Sequence, residues 1–286
     1  MDRDDKIYAL GQYEKSMPGD LTWLEKLTLC KEFGFDYLEM SIDETDEKLA
    51  RLDYTKKQRE EILDAMSLSG VRIQSMCLSG HRKYPLGHPD VAMQKKALEI
   101  MEKAVQLACD LGIRIIQLAG YDVYYEEGTT QTREIFIENL AKAVYMAAEK
   151  GVLLGFETME TPFMDTVEKS MYYVEALNSP YLGVYPDIGN LKNASLLYGV
   201  SVDEDLEKGA GHIVASHLKE TIPNRYREIT FGTGHSEYTS NIEVLKQMGV
   251  RMFVGEFWYT GNKDWKEVCK HSASFLRDKL DAVFYE

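Results

Sequence analysis

One pattern recurs along this chain and constrains its fold more than any other: an amphipathic stretch, a glycine, then a short apolar run. It reads Phe33-Gly34-Phe35-Asp36-Tyr37-Leu38-Glu39, then Ser69-Gly70-Val71-Arg72-Ile73-Gln74-Ser75-Met76, then Leu111-Gly112-Ile113-Arg114-Ile115-Ile116-Gln117-Leu118. It returns as Lys150-Gly151-Val152-Leu153-Leu154-Gly155-Phe156-Glu157 and as Met248-Gly249-Val250-Arg251-Met252-Phe253-Val254-Gly255-Glu256. Glycine suits the left-handed residue that ends a helix, and the run after it suits a strand buried on both faces. Glycines 34, 70, 112 and 151 are spaced at the length of one strand-plus-helix unit.

Further apolar runs at Ile7 to Leu10, Tyr181 to Tyr185 and Ile213 to Ser216 complete the series. The predicted strands lie near 7–10, 36–40, 71–77, 113–118, 152–157, 181–186, 212–217 and 251–256. Helices fit at 20–33, 55–69, 90–111, 131–149, 165–178, 202–209, 240–248 and 264–281. Eight alternating units with no Pro/Gly/Ser-rich linker predict one α/β domain over 1–286, a closed (β/α)8 TIM barrel, rather than an open doubly wound sheet.

Composition narrows the partners. With 47 acidic and 33 basic residues the formal charge is −14, which repels a phosphate backbone and argues against nucleic acid. The opening Met1-Asp2-Arg3-Asp4-Asp5-Lys6 is charged and has no signal-peptide core, and no stretch is long and apolar enough for a bilayer, so the expectation is a cytoplasmic protein without a membrane partner. Cys30, Cys77, Cys109 and Cys269 are scattered without a C-x-x-C pair, and are read as reduced and mostly buried. An isologous homodimer is the base-rate expectation for assembly.

In a parallel barrel the site lies where the strands end. The last four predicted strands end at Glu157, Asp187, His217 and Glu256, three carboxylates and one imidazole. A lone carboxylate there is ordinarily a helix cap or a solvated loop residue. Four on successive strands are a ligand set for one divalent ion, Mn²⁺ or Zn²⁺ ahead of Co²⁺ or Mg²⁺. His212 begins its run and belongs to the opposite, stabilising face. Tyr13, Glu14, Glu39, Ser41, His81, Arg82, Gln117, Tyr121 and Asp122 fall at or just after the first four strand ends. Lys219 and the Gly232-Thr233-Gly234 loop offer a cation and free N–H groups of the kind that hold a phosphate, although a Gly-x-Gly pair is also ordinary turn chemistry.

These residues resemble the sugar-phosphate 3-epimerases of the xylose-isomerase-like barrel superfamily. The matching stretches are Gln12–Lys15, Glu39–Glu47, Ser75–Arg82, Ile116–Tyr125, Tyr185–Leu191 and Gly211–Ala215. The resemblance implies an isomerase of carbohydrate metabolism that interconverts L-xylulose 5-phosphate and L-ribulose 5-phosphate by proton transfer at C3 through an enediolate, in pentose and ascorbate catabolism. It implies a metal on Glu157, Asp187, His217 and Glu256, with Glu157 and Glu256 as the acid/base pair. The candidates for the rest of the substrate are His81, Lys219, Asn190, Tyr13, Gly232 and Gly234, with Tyr13 and Trp258 placed to exclude water. Asn190 stands where the free-sugar tagatose and psicose epimerases carry a histidine, which favours the phosphorylated branch. The Phe231–Glu237 loop is looser than the family's Gly-Glu-Gly run.

Three rivals remain at this point. A three-zinc AP endonuclease needs more histidine than the six present. An aldose–ketose isomerase acting at C1 and C2 shares the metal and carboxylates, and only the matching stretches separate it. A catalytically dead sugar-binding scaffold would have no reason to keep all four ligand types at strand ends.

Overall fold

In the computed structural model, which describes residues 7–285, the repeat folds as its period demands. The charged segment Met1–Lys6 lies outside the described residues. The strands are β1 (Ala9–Tyr13), β2 (Tyr37–Ile42), β3 (Arg72–Leu78), β4 (Ile115–Ala119), β5 (Leu153–Glu157), β6 (Leu182–Tyr185), β7 (Ser216–Leu218) and β8 (Met252–Gly255). The helices are α1 (Trp23–Glu32), α2 (Asp46–Leu49), α3 (Lys56–Ser69), α4 (Val91–Leu111), α5 (Thr130–Lys150), α6 (Val167–Leu177), α7 (Ile188–Tyr198), α8 (Val202–Glu207), α9 (Tyr238–Gln247) and α10 (Trp265–Phe284). Two long helices end as the repeat implies, with Gly112 at φ 71° and Gly151 at φ 67°. A side chain in that left-handed conformation would meet the following carbonyl.

All the strand pairs are parallel, in the order β6-β5-β4-β3-β2-β1-β8-β7. Between β6 and β7 the cylinder closes through isolated parallel bridges, Val184 with Ile213 and Asp187 with His217. Helices cover the outside, and the main core lies between them and the sheet, around Leu10, Leu38, Met40, Ile73, Leu154, Phe156 and Phe253. Each such side chain withdrawn from water contributes about 1.5–3 kcal/mol.

The alternation of strand residues sends the other set inward. Low in the barrel this set is aromatic: Tyr37 lies so close to β1 that a Cβ on Gly11 would meet its ring at 2.5 Å. Towards the strand ends it becomes polar, with Glu39, Ser75, Gln117, Glu157, His217 and Glu256 all buried. The fold therefore gathers its buried charge at one end of the cylinder.

The structure corrects several predicted elements. The first strand runs three residues past the predicted end, so Tyr13 closes it rather than following it. The seventh is shorter than 212–217: only Ser216–Leu218 form a ladder. His212 contributes its carbonyl to Val184 N–H at 2.9 Å from outside the strand. Helix α7 was not expected at all, because Gly189, Asn190 and Asn193 are poor helix formers. It forms because Asp187 caps it, its Oδ1 accepting from Asn190 N–H at 2.8 Å, and because Ile188 and Leu191 are buried.

Candidate active site

Glu157 is the last residue of β5, Asp187 caps α7, His217 lies in β7, and Glu256 follows β8. One ligand atom from each of the four lies within 4.8 Å of the others, and all four side chains are buried. Backbone contacts enforce the convergence: Asp187 is bridged to His217, and Glu256 N–H donates to Leu218 O at 3.0 Å. His217 turns Nδ1 towards the carboxylates, 3.2 Å from Glu157, 3.7 Å from Glu256 and 3.9 Å from Asp187. Asp187 Oδ2 is buried without a well-aligned hydrogen bond, 2.9 Å from Lys219 Nζ. Three carboxylates and one imidazole nitrogen aimed at a common point suit a divalent ion of hard or borderline character.

The same crowding drives the charges apart. Burial, then the negative charge of Glu256, pushes Glu157 above the ordinary carboxylate value. Burial works the same way on Glu256, but Lys219 and His217 outweigh it and hold this carboxyl at about 2. Burial also lifts Asp187 to about 7, against the pull of Lys219. Gln117 Nε2 donates to Glu157 Oε2 at 2.5 Å, and Lys219 Nζ donates to Glu256 Oε2 at 2.9 Å, so each glutamate has one neighbour that orients it. Glu39 accepts from His217 Nε2 at 2.7 Å.

Above this cluster opens a narrow cleft, lined by Tyr13, Glu157, Asn190, Lys219, Glu256 and Trp258 among others. Trp258 packs edge-on against Tyr13 with ring centroids 6.0 Å apart, a wall able to keep water from the reacting atoms. Asn190 Nδ2 donates to Thr158 O at 2.7 Å, while its Oδ1 is buried without a protein partner. That amide oxygen is free to accept from a hydroxyl.

Other predicted residues fall elsewhere. His81 is buried away from the cleft, with Nε2 3.0 Å from Ala97 O, and burial pulls it down to about 4. It is a neutral core histidine that ties the turn after β3 to α4. The Gly232–Gly234 loop does not present a free anion nest either. Glu220 already fills it, accepting from Gly232 N–H at 2.8 Å and Ser236 N–H at 3.1 Å. Gly234 is needed for close approach, since a Cβ there would lie 2.1 Å from Thr221 O. Glu14, also read as a mouth residue, is sequestered by Lys26, Lys48 and Arg51.

The cations that do line the cleft besides Lys219 are Lys15, Arg82 and Arg227. Arg82 lies over the rings of Tyr121 and Tyr124, its Nε buried without a partner, and Arg227 lies 5.3 Å over Trp258. Arg227 comes from the loop after β7, where strand-end reasoning does not look; the alternation Arg225-Tyr226-Arg227 was its only visible signal. Of the cysteines, Cys30, Cys77 and Cys269 are buried and free, whereas Cys109 is free and exposed. Among the described residues no helix is long and apolar enough to cross a membrane.

The family profile described as xylose isomerase-like TIM barrel matches residues 27–279. The chain belongs to that family. Within it the chain stands with the L-ribulose-5-phosphate 3-epimerases: it is 47% identical over 278 residues to L-ribulose-5-phosphate 3-epimerase UlaE of Salmonella heidelberg (strain SL476), covering 97% of this chain and 94% of that one. It is also 47% identical over 244 residues to UlaE of Escherichia coli O139:H28 (strain E24377A / ETEC), covering 85% and 84% of the two chains. The D-psicose 3-epimerase of Clostridium cellulolyticum H10, solved with D-tagatose, superposes with a TM-score of 0.80 over 95% of this chain and 99% of its own. At 14% identity that likeness speaks for the fold alone.

Proposed function

We propose that this chain is a metal-dependent 3-epimerase that interconverts L-xylulose 5-phosphate and L-ribulose 5-phosphate. The observation that carries the reading is the pairing of Glu157 and Glu256 in one buried chamber, the first carboxyl pushed up by burial and its neighbour's charge and the second held down by Lys219 and His217, in a chain 47% identical to named L-ribulose-5-phosphate 3-epimerases. Glu157, Asp187, His217 and Glu256 would hold one divalent ion, Mn²⁺ or Zn²⁺ in preference to Co²⁺ or Mg²⁺. When bound, it supplies Lewis-acid stabilisation of the negative charge that builds on the ketose oxygen.

The chain's own residues do the rest. Epimerisation needs a base on one face of C3 and an acid on the other, and Glu157 and Glu256 come from different walls of the barrel. In one direction Glu256, ionised beside Lys219, takes the C3 proton, and Glu157 returns one to the opposite face. In the other direction the roles exchange. Gln117 and Lys219 fix the two carboxyl groups, Asn190 Oδ1 accepts from a sugar hydroxyl, and Tyr13 with Trp258 shields the carbanionic stage from water. Lys15, Arg82 and Arg227 face the phosphate in place of the glycine loop.

The test is incubation with L-xylulose 5-phosphate in D2O, followed by proton NMR with and without chelator and added Mn²⁺ or Zn²⁺. Loss of the C3 proton signal with appearance of L-ribulose 5-phosphate, abolished by chelator, is the expected result. Exchange at C1 instead would make the chain an aldose–ketose isomerase, and no exchange with any ion would overturn the enzyme reading for this substrate.

A further inference from the structure

Glu39 belongs to no ligand set, yet the inner end of the barrel is organised around it. It lies in β2 with its side chain completely buried. The register between β2 and β3 shifts between Leu38 and Glu39, an irregularity of the kind that re-aims a side chain beside a site. All its capacity is directed at protein donors: Oε2 accepts from Ser75 Oγ at 2.7 Å and from Tyr185 OH at 3.0 Å, and Oε1 accepts from His217 Nε2 at 2.7 Å. It is not among the four residues whose ligand atoms converge, and both its oxygens are engaged by protein groups.

From this geometry we infer that Glu39 is a positioning residue: it keeps the His217 proton on Nε2 and so presents Nδ1, with its lone pair, to a divalent ion. The inference rests on the reading that His217 is a metal ligand. An imidazole can give a lone pair from only one nitrogen at a time, and the hydrogen bond made by the other selects which. Nδ1 is the nitrogen that faces Glu157, Asp187 and Glu256, so the proton must stay on Nε2. The ring is held at that angle by Tyr185, which packs edge-on with centroids 5.0 Å apart and anchors its hydroxyl on the same carboxylate. Ser75, Tyr185, Glu39 and His217 thus form one relay from β3, β6, β2 and β7. A neutral amide at position 39 would answer the two hydroxyls with its oxygen and turn its NH2 to His217, drawing the proton to Nδ1.

The full-length protein is stripped with chelator and titrated with Zn²⁺ in competition with a coloured chelator. E39Q weakens Zn²⁺ binding by about 10- to 100-fold, while S75A, which leaves the His217 contact intact, weakens it much less. Nitrogen-15 spectra of the Zn²⁺-loaded wild type place the His217 proton on Nε2, a measurement that needs no variant to fold. Unchanged affinity in a folded E39Q, or a proton found on Nδ1, overturns the proposal and leaves the metal reading standing. Failure of the wild type to bind Zn²⁺, or unchanged binding in H217A, overturns the metal reading and this proposal with it.

Discussion

Glu157 and Glu256 reach one chamber from different walls of the barrel, yet their protons are held with opposite strength, Glu157 up by burial and its neighbour's charge, Glu256 down by Lys219. A pair divided in this way is equipped to give and to take a proton in the same event. Glu157→Gln and Glu256→Gln should each lower the rate of C3 proton exchange by about 10²- to 10⁴-fold, the usual worth of a positioned acid or base. Exchange above a tenth of the wild-type rate in either variant would refute the pairing.

The phosphate reading shifts from the glycine loop to Arg227 and Arg82. Replacing Arg227, which is 48% exposed on its side chain, by Met should raise KM for L-xylulose 5-phosphate about tenfold or more, in keeping with the loss of one charge-assisted hydrogen bond. Turnover of unphosphorylated L-xylulose should not change. Steady-state kinetics on both sugars decide it, and equal losses on the two would remove Arg227 from phosphate binding.

His81 should behave as a structural residue. His81→Ala removes a buried ring together with its hydrogen bond to the Ala97 carbonyl, a cost of about 1–3 kcal/mol, with KM unaltered. Urea unfolding and kinetics on the same preparation separate the outcomes: a tenfold rise in KM at unchanged stability would restore His81 to the substrate.

Glu14 supplies a pH signature through its own set of cations. Burial opposes its ionisation, but Arg51, Lys48 and Lys26 prevail and hold it far below the usual carboxylate range. A depressed carboxyl stabilises the fold fully above its unfolded value of 4.5, and that contribution drains away as the pH falls below it. Glu14→Gln, which leaves three buried or half-buried cations uncompensated, should cost about 3–5 kcal/mol at pH 7 and progressively less below pH 4.5. Denaturant midpoints across that range check this, and a penalty independent of pH would contradict it.

Much of this was legible in the residues. The convergence of Glu157, Asp187, His217 and Glu256 could be found because a buried parallel strand is a continuous apolar run, so the first polar residue at its end marks the barrel mouth. Helix α7 was hidden because its helicity comes from the Asp187 cap and from packing, not from propensity. The glycine loop misled because one sequence cannot show that Glu220, twelve residues away, fills it. Glu39 was visible as a strand-end carboxylate, but its direction depends on a register shift with no compositional trace.

The cylinder is not equally strong around its circumference. Staves β6 and β7 share no ladder and are bridged singly, Val184 with Ile213 and Asp187 with His217, whereas every other neighbouring pair shares at least three paired positions. The weak joint therefore runs directly between two of the four converging side chains. Whatever grips Asp187 and His217 together acts on the wall as a hoop acts on a cask, and if that grip slackens the wall parts beside the chemistry, not behind it.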